Sequence, residues 1–443
     1  MPAKHALGPT QLVSLERISD IGVVGAGGGG FPSAVKLGAR VPTVIANGAE
    51  CEPLLHKDKE LMRHLAAPML GGLQAAMAIV GATEGIIGVK EKYVDVMADL
   101  EPMLPPGVRI LPLRDSYPAG DEFLLVHDAV GRIIPPGGLP KDVGAVVLNV
   151  ETLVNIGVGQ PVTHKYMTVA GAVREPVTVR VPIGMSIGEV LALAGGTTDA
   201  DCGVLLGGVM MGRLAASLDE PVTKTLGGIV ALPASHHLIT WYKAGRRQIE
   251  RIGRSACDQC RFCTELCPRY LLGHPIEPHA AMRALMFSGI QGPIAAATLY
   301  CCECNLCSLY SCPENLDPMN VCAFAKPIAR EMNLVWTGTP DSVQPHPLAA
   351  DRRVPMSRLI VKLGLAGFSN VGPLVDAAAI PRRVVLPLKQ HAGAPAVPLV
   401  KPGTRVWVGD PVAAPAAGVL GARIHASIEG VVRSVEDAVV IEA

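Results

Sequence analysis

Cys257-Asp-Gln-Cys260-Arg-Phe-Cys263-Thr-Glu-Leu-Cys267-Pro268 is a run with a specific chemical reading. Three evenly spaced cysteines can wrap a loop around one [4Fe–4S] cubane. The fourth, followed by proline, is carried away on the next turn towards a second cubane. A partner run follows: Cys301-Cys302-Glu-Cys304-Asn-Leu-Cys307-Ser-Leu-Tyr-Ser-Cys312-Pro313. Counted from Cys301 it is C-x2-C-x2-C-x4-C-P, one residue longer before its last cysteine. A register that starts at Cys302 stays open. With ligands swapped between runs, Cys257, Cys260, Cys263 and Cys312 bind one cluster, and Cys301, Cys304, Cys307 and Cys267 bind the other. A pair of zinc knuckles is the alternative, but zinc favours two CxxC pairs over three cysteines in even spacing before Cys-Pro. Residues 248–335 are therefore expected to form a helical module of the ferredoxin kind, holding two [4Fe–4S] clusters for electron transfer. Cys51, Cys202 and Cys322 stand apart and read as small buried residues. His274 and His279, near the runs, are weak evidence for metal ligation.

Working outward, 443 residues imply several domains. Lys plus Arg and Asp plus Glu number 39 each, a balance that points to neither nucleic acid nor an acidic membrane surface. The N-terminal residues lack an apolar core of signal-peptide length. The longest charge-free stretch, Leu65 to Thr83, contains Pro68, Gly71 and Gly72, so it reads as a buried helix and not a membrane span. A cytoplasmic chain with reduced cysteines is expected, which favours metal binding over disulfides.

Residues 20–160, within a domain expected at 1–164, alternate strand and helix signals. Val41–Ala46, Gly85–Val89, Val108–Leu113 and Gly144–Val150 read as buried strands, with helices at Leu65–Val80 and Asp121–Val130. That order predicts a mostly parallel, Rossmann-like α/β sheet. Residues 165–247 read as a small α+β module: a hairpin over Thr168–Val181 turning near Arg174–Pro176, a short helix within Pro182–Gly196, then strands at Gly203–Gly212 and His236–Lys243. Residues 336–395 are Pro-rich and read as a linker with one helix at Met356–Leu365. Residues 396–443 are all-β by pattern.

Val23–Gly30, VVGAGGGG, formally contains the G-x-G-x-x-G of dinucleotide-binding loops, a weak signal alone. Gly27, Gly28, Gly29 and Gly30 would let backbone lie against a planar or phosphorylated ligand. The helix near Pro32 and the cation of Lys36 suit a phosphate. Three segments at predicted strand ends are expected to converge there: Asn47-Gly-Ala-Glu50-Cys51-Glu52-Pro53, Tyr117-Pro-Ala-Gly120-Asp121-Glu122, and Leu148-Asn149-Val150-Glu151-Thr152.

GAGGGGFPSAVKL, NGAECEP, YPAGDE and LNVETL resemble the FMN- and NADH-binding segments of a family that includes the flavoprotein subunit of respiratory complex I and the RnfC subunit of the Rnf complex. PIGMSIGEVLALAGG resembles the SLBB module, a β-grasp-like unit, of those proteins. The C-terminal segment resembles RnfC's barrel-sandwich module, placed here at the other end of the chain. It also resembles lipoyl and biotinyl domains, but ARIHASIEGVV has no lysine for a swinging arm. The order of parts, with the CCECNLCSLYSCPENL run, is similar to that of the cobalamin reductases of propanediol-utilisation microcompartments.

The resemblance implies that Gly27 to Gly30 and Lys36 cradle the FMN phosphate and ribityl chain. It implies that Asn47, Cys51, Tyr117, Gly120 and Asn149 line the flavin, and that Glu52 and Glu122 face NADH. It departs at Ala26, where the complex I loop has an arginine, and at Ala49, where that family has an acid. The function implied is electron transfer from NADH through FMN and two [4Fe–4S] clusters to a corrinoid, cob(III)alamin, inside a bacterial microcompartment. An adenosyltransferase and shell proteins are implied partners, and oligomerisation stays open. The alternatives are an RnfC-like subunit of a membrane complex and a non-catalytic conduit or scaffold with a degenerate flavin site.

Overall fold

A computed structural model describes residues 14–245, 249, 251–253, 256–287, 292–377 and 380–443. Four strands near the N-terminus, β1 (Thr43–Gly48), β2 (Glu84–Lys90), β3 (Val108–Leu113) and, after the short β4 (Ser116–Tyr117), β5 (Ala145–Asn149), form the expected parallel sheet. Its order is β3-β2-β1-β5. The strands carry near-continuous apolar runs because both faces are covered. Helix Ala66–Val80 crosses helix Val150–Val158 with backbones nearly touching: a Cβ on Gly72 would lie 1.9 Å from the Leu153 carbonyl oxygen, and one on Gly157 the same distance from that of Pro68. Gly72 of the charge-free stretch thus serves helix packing. Among the described residues no helix is long and apolar enough to cross a membrane.

The second module is built on the expected hairpin, His164–Gly171 paired antiparallel with Val177–Pro182. Its helix, Ile187–Leu193, starts at a Ser186/Glu189 capping box. Two expectations fail here. Strand character in Gly203–Gly212 ends at Leu206, and His237–Lys243, read as a strand, is a helix. The β-type residues of HLITWYK misled, because the His236 side chain caps the Leu238 amide while Leu238 and Ile239 fill the core. Gly228–Pro233 takes the place in the sheet instead.

Residues 336–395 do more than link. Val354–Pro355 pairs with β4, Leu374–Val375 with the hairpin strand Val177–Pro182, and Arg383–Pro387 with the C-terminal strand Ala438–Glu442. The expected helix is there, at Met356–Lys362. The C-terminal module is all-β, in one four-stranded and one three-stranded sheet. Its buried residues, Val384 and Ile441 among them, share one core with Ile18, Val23 and Leu37, so it packs against the glycine-loop end of the molecule.

Candidate functional site

The glycine loop lies at the carboxyl edge of the parallel sheet. Gly25 N donates to the Phe31 carbonyl at 2.9 Å and closes the loop. Its floor is polar: Ala26 N donates to Thr152 Oγ1 at 3.0 Å, and Lys165 Nζ donates to the Ala26 carbonyl at 3.0 Å. A Cβ on Gly27 would meet Asn149 at 3.3 Å, whereas one on Gly28 or Gly29 would meet nothing within 4 Å. The loop is therefore held from beneath and open above Gly28 and Gly29, a cradle that fits a flat or phosphorylated ligand. Ser33, just past the loop, keeps its hydroxyl buried and without a partner. At the other end, Ala392 N from far along the chain donates to the Gly30 carbonyl at 3.0 Å.

The three expected segments do converge. Asn47 and Asn149 are register partners on β1 and β5. Asn47 Nδ2 donates to the Gly120 carbonyl at 2.9 Å, and a Cβ on Gly120 would sit 3.2 Å from Cys51 Sγ. Burial pushes the Cys51 thiol up to about 12. Lys36 Nζ and Glu122 Oε1 pair with each other at 2.6 Å, part-exposed. Glu52 Oε2 and Oε1 accept the amides of Met210 (2.9 Å) and Met211 (2.7 Å), so this carboxylate clamps a loop of the second module. Burial raises it to about 7 despite those amides. Tyr117 is buried, and its hydroxyl donates to the Cys304 carbonyl at 2.6 Å.

Under the loop lies a charge network that the motifs did not announce. Lys57 Nζ reaches Asp58 Oδ1 at 2.6 Å and Glu151 Oε2 at 3.1 Å, Asn149 Nδ2 donates to Asp58 Oδ2 at 2.8 Å, and Lys165 pairs with Glu151. All four ions are buried. Against burial, Lys165 and Lys57 hold the Glu151 carboxyl below its usual range, while burial brings Lys165 down to about 8 despite Glu151. Removing one member leaves an uncompensated charge, at a cost of about 3–5 kcal/mol. The adjacent Lys57 and Asp58 were the available signal, a charged pair that opens the helix Lys57–His64.

The two cysteine runs begin with the same backbone pattern. Gln259 and Arg261 have φ of 61° and 70°; Glu303 and Asn305 have 56° and 65°. These left-handed residues sit at equal offsets from Cys257 and from Cys301, which aligns Cys301 with Cys257, Cys304 with Cys260 and Cys307 with Cys263. The Cys257 sulfur accepts from Gln259 Nε2 at 3.1 Å and the Cys301 sulfur from Glu303 N at 3.4 Å. Cys302 then corresponds to Asp258. Cys257, Cys260, Cys263 and Cys312 ring one hollow, closed by Met282 and Leu316. Among the described residues no three His, Cys, Asp or Glu side chains converge on a single-ion position; around this hollow the thiols surround a volume. Burial first, then the neighbouring Cys260, pushes Cys263 up to about 12, and Cys307 is driven well above its ordinary value by burial and by Cys301. Such thiols ionise when a cationic metal centre compensates them, which is what a cluster supplies. Cys322 is not isolated: its thiol lies against that of Cys301. The sequence reading also missed Arg269, two residues past Cys267, whose guanidinium is buried beside the second run.

Comparison with known proteins agrees with this layout. Residues 18–158 match the Nuo51 FMN-binding domain, 166–214 the SLBB domain, 256–317 a 4Fe-4S dicluster domain and 369–443 the RnfC barrel sandwich hybrid domain. The chain is 47% identical to "Cobalamin reductase PduS" of Salmonella typhimurium over 95% of this chain and 94% of that one, and 44% identical to the protein of the same name in Citrobacter freundii over 99% and 97%. It is 35% identical to a component of the ion-translocating oxidoreductase complex of Pseudomonas aeruginosa, over 59% of this chain and 34% of that one. With its near full-length identity and its FMN-binding, SLBB, two-cluster and barrel-sandwich parts, this chain belongs to the PduS cobalamin reductase family.

Proposed function

We propose that this chain is a flavo-iron–sulfur oxidoreductase that carries electrons from NADH to a corrinoid, reducing cob(III)alamin towards cob(I)alamin. The electron count matches, because one hydride carries the two electrons that this reduction consumes. When bound, FMN converts the hydride into single electrons and the two [4Fe–4S] clusters conduct them.

The chain's own residues supply placement. Gly27 to Gly30 form the cradle for FMN, and Lys36 supplies a cation for its phosphate. Asn47, Cys51, Gly120 and Asn149 wall the flavin. Glu122 is the acid on the open side that faces NADH, and a bound nucleotide would have to part it from Lys36. Glu52 acts by fixing the second module against the site, and Tyr117 by joining the flavin segment to the cluster module. Cys257, Cys260, Cys263 and Cys312 hold one cluster; Cys267, Cys301, Cys304 and Cys307 hold the other. A place inside a bacterial microcompartment, beside an adenosyltransferase and shell proteins, is part of the same proposal and rests on the resemblance in the order of parts.

The observation that carries this reading is the direct junction of the two cofactor regions, Tyr117 of the sheet domain bonded to Cys304 of the second cysteine run. The test is anaerobic purification with cofactor analysis. FMN near one per chain, with iron and sulfide near about eight each, supports it. Stoichiometric zinc without sulfide, or clusters without flavin, contradicts it.

A further inference from the structure

Arg269 lies in the one-turn helix Pro268–Leu271 that Cys267 begins, and it is 7% exposed. Its Nη2 donates to Asp121 Oδ2 at 2.8 Å. The same Asp121 uses Oδ1 to cap the helix Glu122–Val130 through the amides of Phe123 and Leu124. The Arg269 guanidinium carbon sits 3.5 Å from the Phe123 ring centroid. Its Nε and Nη1 are buried without a protein partner. The guanidinium lies beside Cys302, which is also a hydrogen-bond partner, and Cys304.

Two dry, unpaired N–H groups on a cation are costly unless an anion meets them. A carboxylate seeking only structural anchorage would take the guanidinium fork with both oxygens. Asp121 spends one oxygen on its own helix, so one ion-pair contact remains and the rest of the fork is left towards the second run. The segment that supplies Asp121 also supplies Tyr117, which bonds the Cys304 carbonyl. One contact from the flavin side thus falls on Cys304 and the other on Arg269, two residues past Cys267, and both cysteines are assigned to the same cluster.

We propose that Arg269 is a positioning residue that raises the reduction potential of the cluster held by Cys267, Cys301, Cys304 and Cys307, and so makes it the one that receives electrons from the flavin domain. This rests on the two-cluster reading above. A cluster gains negative charge on reduction, and a buried cation beside it favours the reduced form.

The test is an anaerobic redox titration of the whole protein, with cluster signals followed by electron paramagnetic resonance and dithionite as reductant, so that it does not depend on NADH or corrinoid turnover. In Arg269→Met one cluster is expected to become harder to reduce by at least about tenfold, about 59 mV for a one-electron couple, with the other unchanged. Both potentials unchanged, or both lowered equally, overturns the proposal. In the charge-balanced Arg269→Met/Asp121→Asn variant the same cluster should remain below wild type; full recovery would show that the unpaired Asp121 was the cause. If the methionine variant loses iron, Arg269→Lys carries the test: it should hold the potential within about threefold, and a tenfold fall overturns it. Absence of cluster signals in the wild type would instead defeat the two-cluster reading itself.

Discussion

The Tyr117 hydroxyl donates to the carbonyl oxygen of Cys304, 187 residues further along the chain, at 2.6 Å within the protein interior. Tyr117 belongs to the turn proposed to wall the flavin, and Cys304 is a central cysteine of the second run. One hydrogen bond therefore ties the two halves of an electron path. Val354–Pro355 pairs with Ser116–Tyr117 and braces the same turn from a third part of the chain.

Tyr117→Phe keeps the ring and strands the Cys304 carbonyl, which should cost about 1–3 kcal/mol. The thermal midpoint is expected to fall. The signal of one cluster should change and flavin content should not. Unchanged cluster signals together with an unchanged midpoint would mean that the bond contributes nothing.

The matched φ values of the two runs favour Cys301 over Cys302 as the first thiol of the proposed second cluster. Cys301→Ala should lower iron from about eight to about four per chain, and Cys302→Ala should leave it near eight. The reverse pattern would place the register one residue later.

The open space above the loop directs the flavin test to Gly29. Gly28 has φ of 108°, so a side chain there would strain the backbone regardless of any ligand. Gly29 lacks that complication and also has nothing within 4 Å of a Cβ. Gly29→Val should weaken FMN binding at least about tenfold, 1.4 kcal/mol, with cluster absorbance intact. Normal flavin affinity would place the flavin elsewhere.

Lys224 ties three parts of the chain together. Its Nζ donates to the Gly22 carbonyl at 2.7 Å and the Arg423 carbonyl at 2.6 Å. Burial lowers it to about 7, against about 10.4 when unfolded. Between those values the unfolded chain binds the extra proton, so stability should rise as pH goes from about 7 towards about 10. His425 and His391, which face Lys224, are both lowered by burial and titrate below that window. Lys224→Met should flatten the rise; an identical slope in variant and wild type would rule Lys224 out as its source.

Much of the layout was legible because short-range rules govern it. The strand at Val108–Leu113 and the helix ending at Val130 follow apolar runs and glycine stops. The cysteine spacing reflects a loop closing on a cluster. Long-range pairing was not legible. Nothing local to HLITWYK says that GIVALP holds the neighbouring place in the sheet, or that Arg383–Pro387 pairs with Ala438–Glu442. Glu52 and Tyr117 were expected at the flavin site from local motifs, but the partners they take, the Met210 and Met211 amides and the Cys304 carbonyl, come from other modules. Lys165 and Arg269 escaped notice for the same reason: a lone cation in a strand or beside a Cys-Pro acquires its role from what folds against it.

The most direct test of the proposed path is an anaerobic stopped-flow mixing of the cofactor-loaded protein with NADH and cob(III)alamin, recording flavin, cluster and corrinoid absorbance together. Flavin bleaching should come first, cluster bleaching next, and corrinoid reduction last, with Cys304→Ala keeping the first phase and losing the last. Corrinoid reduction at the wild-type rate in Cys304→Ala, or none in the wild type while flavin and clusters bleach, would contradict a linear path from NADH through the clusters to the corrinoid.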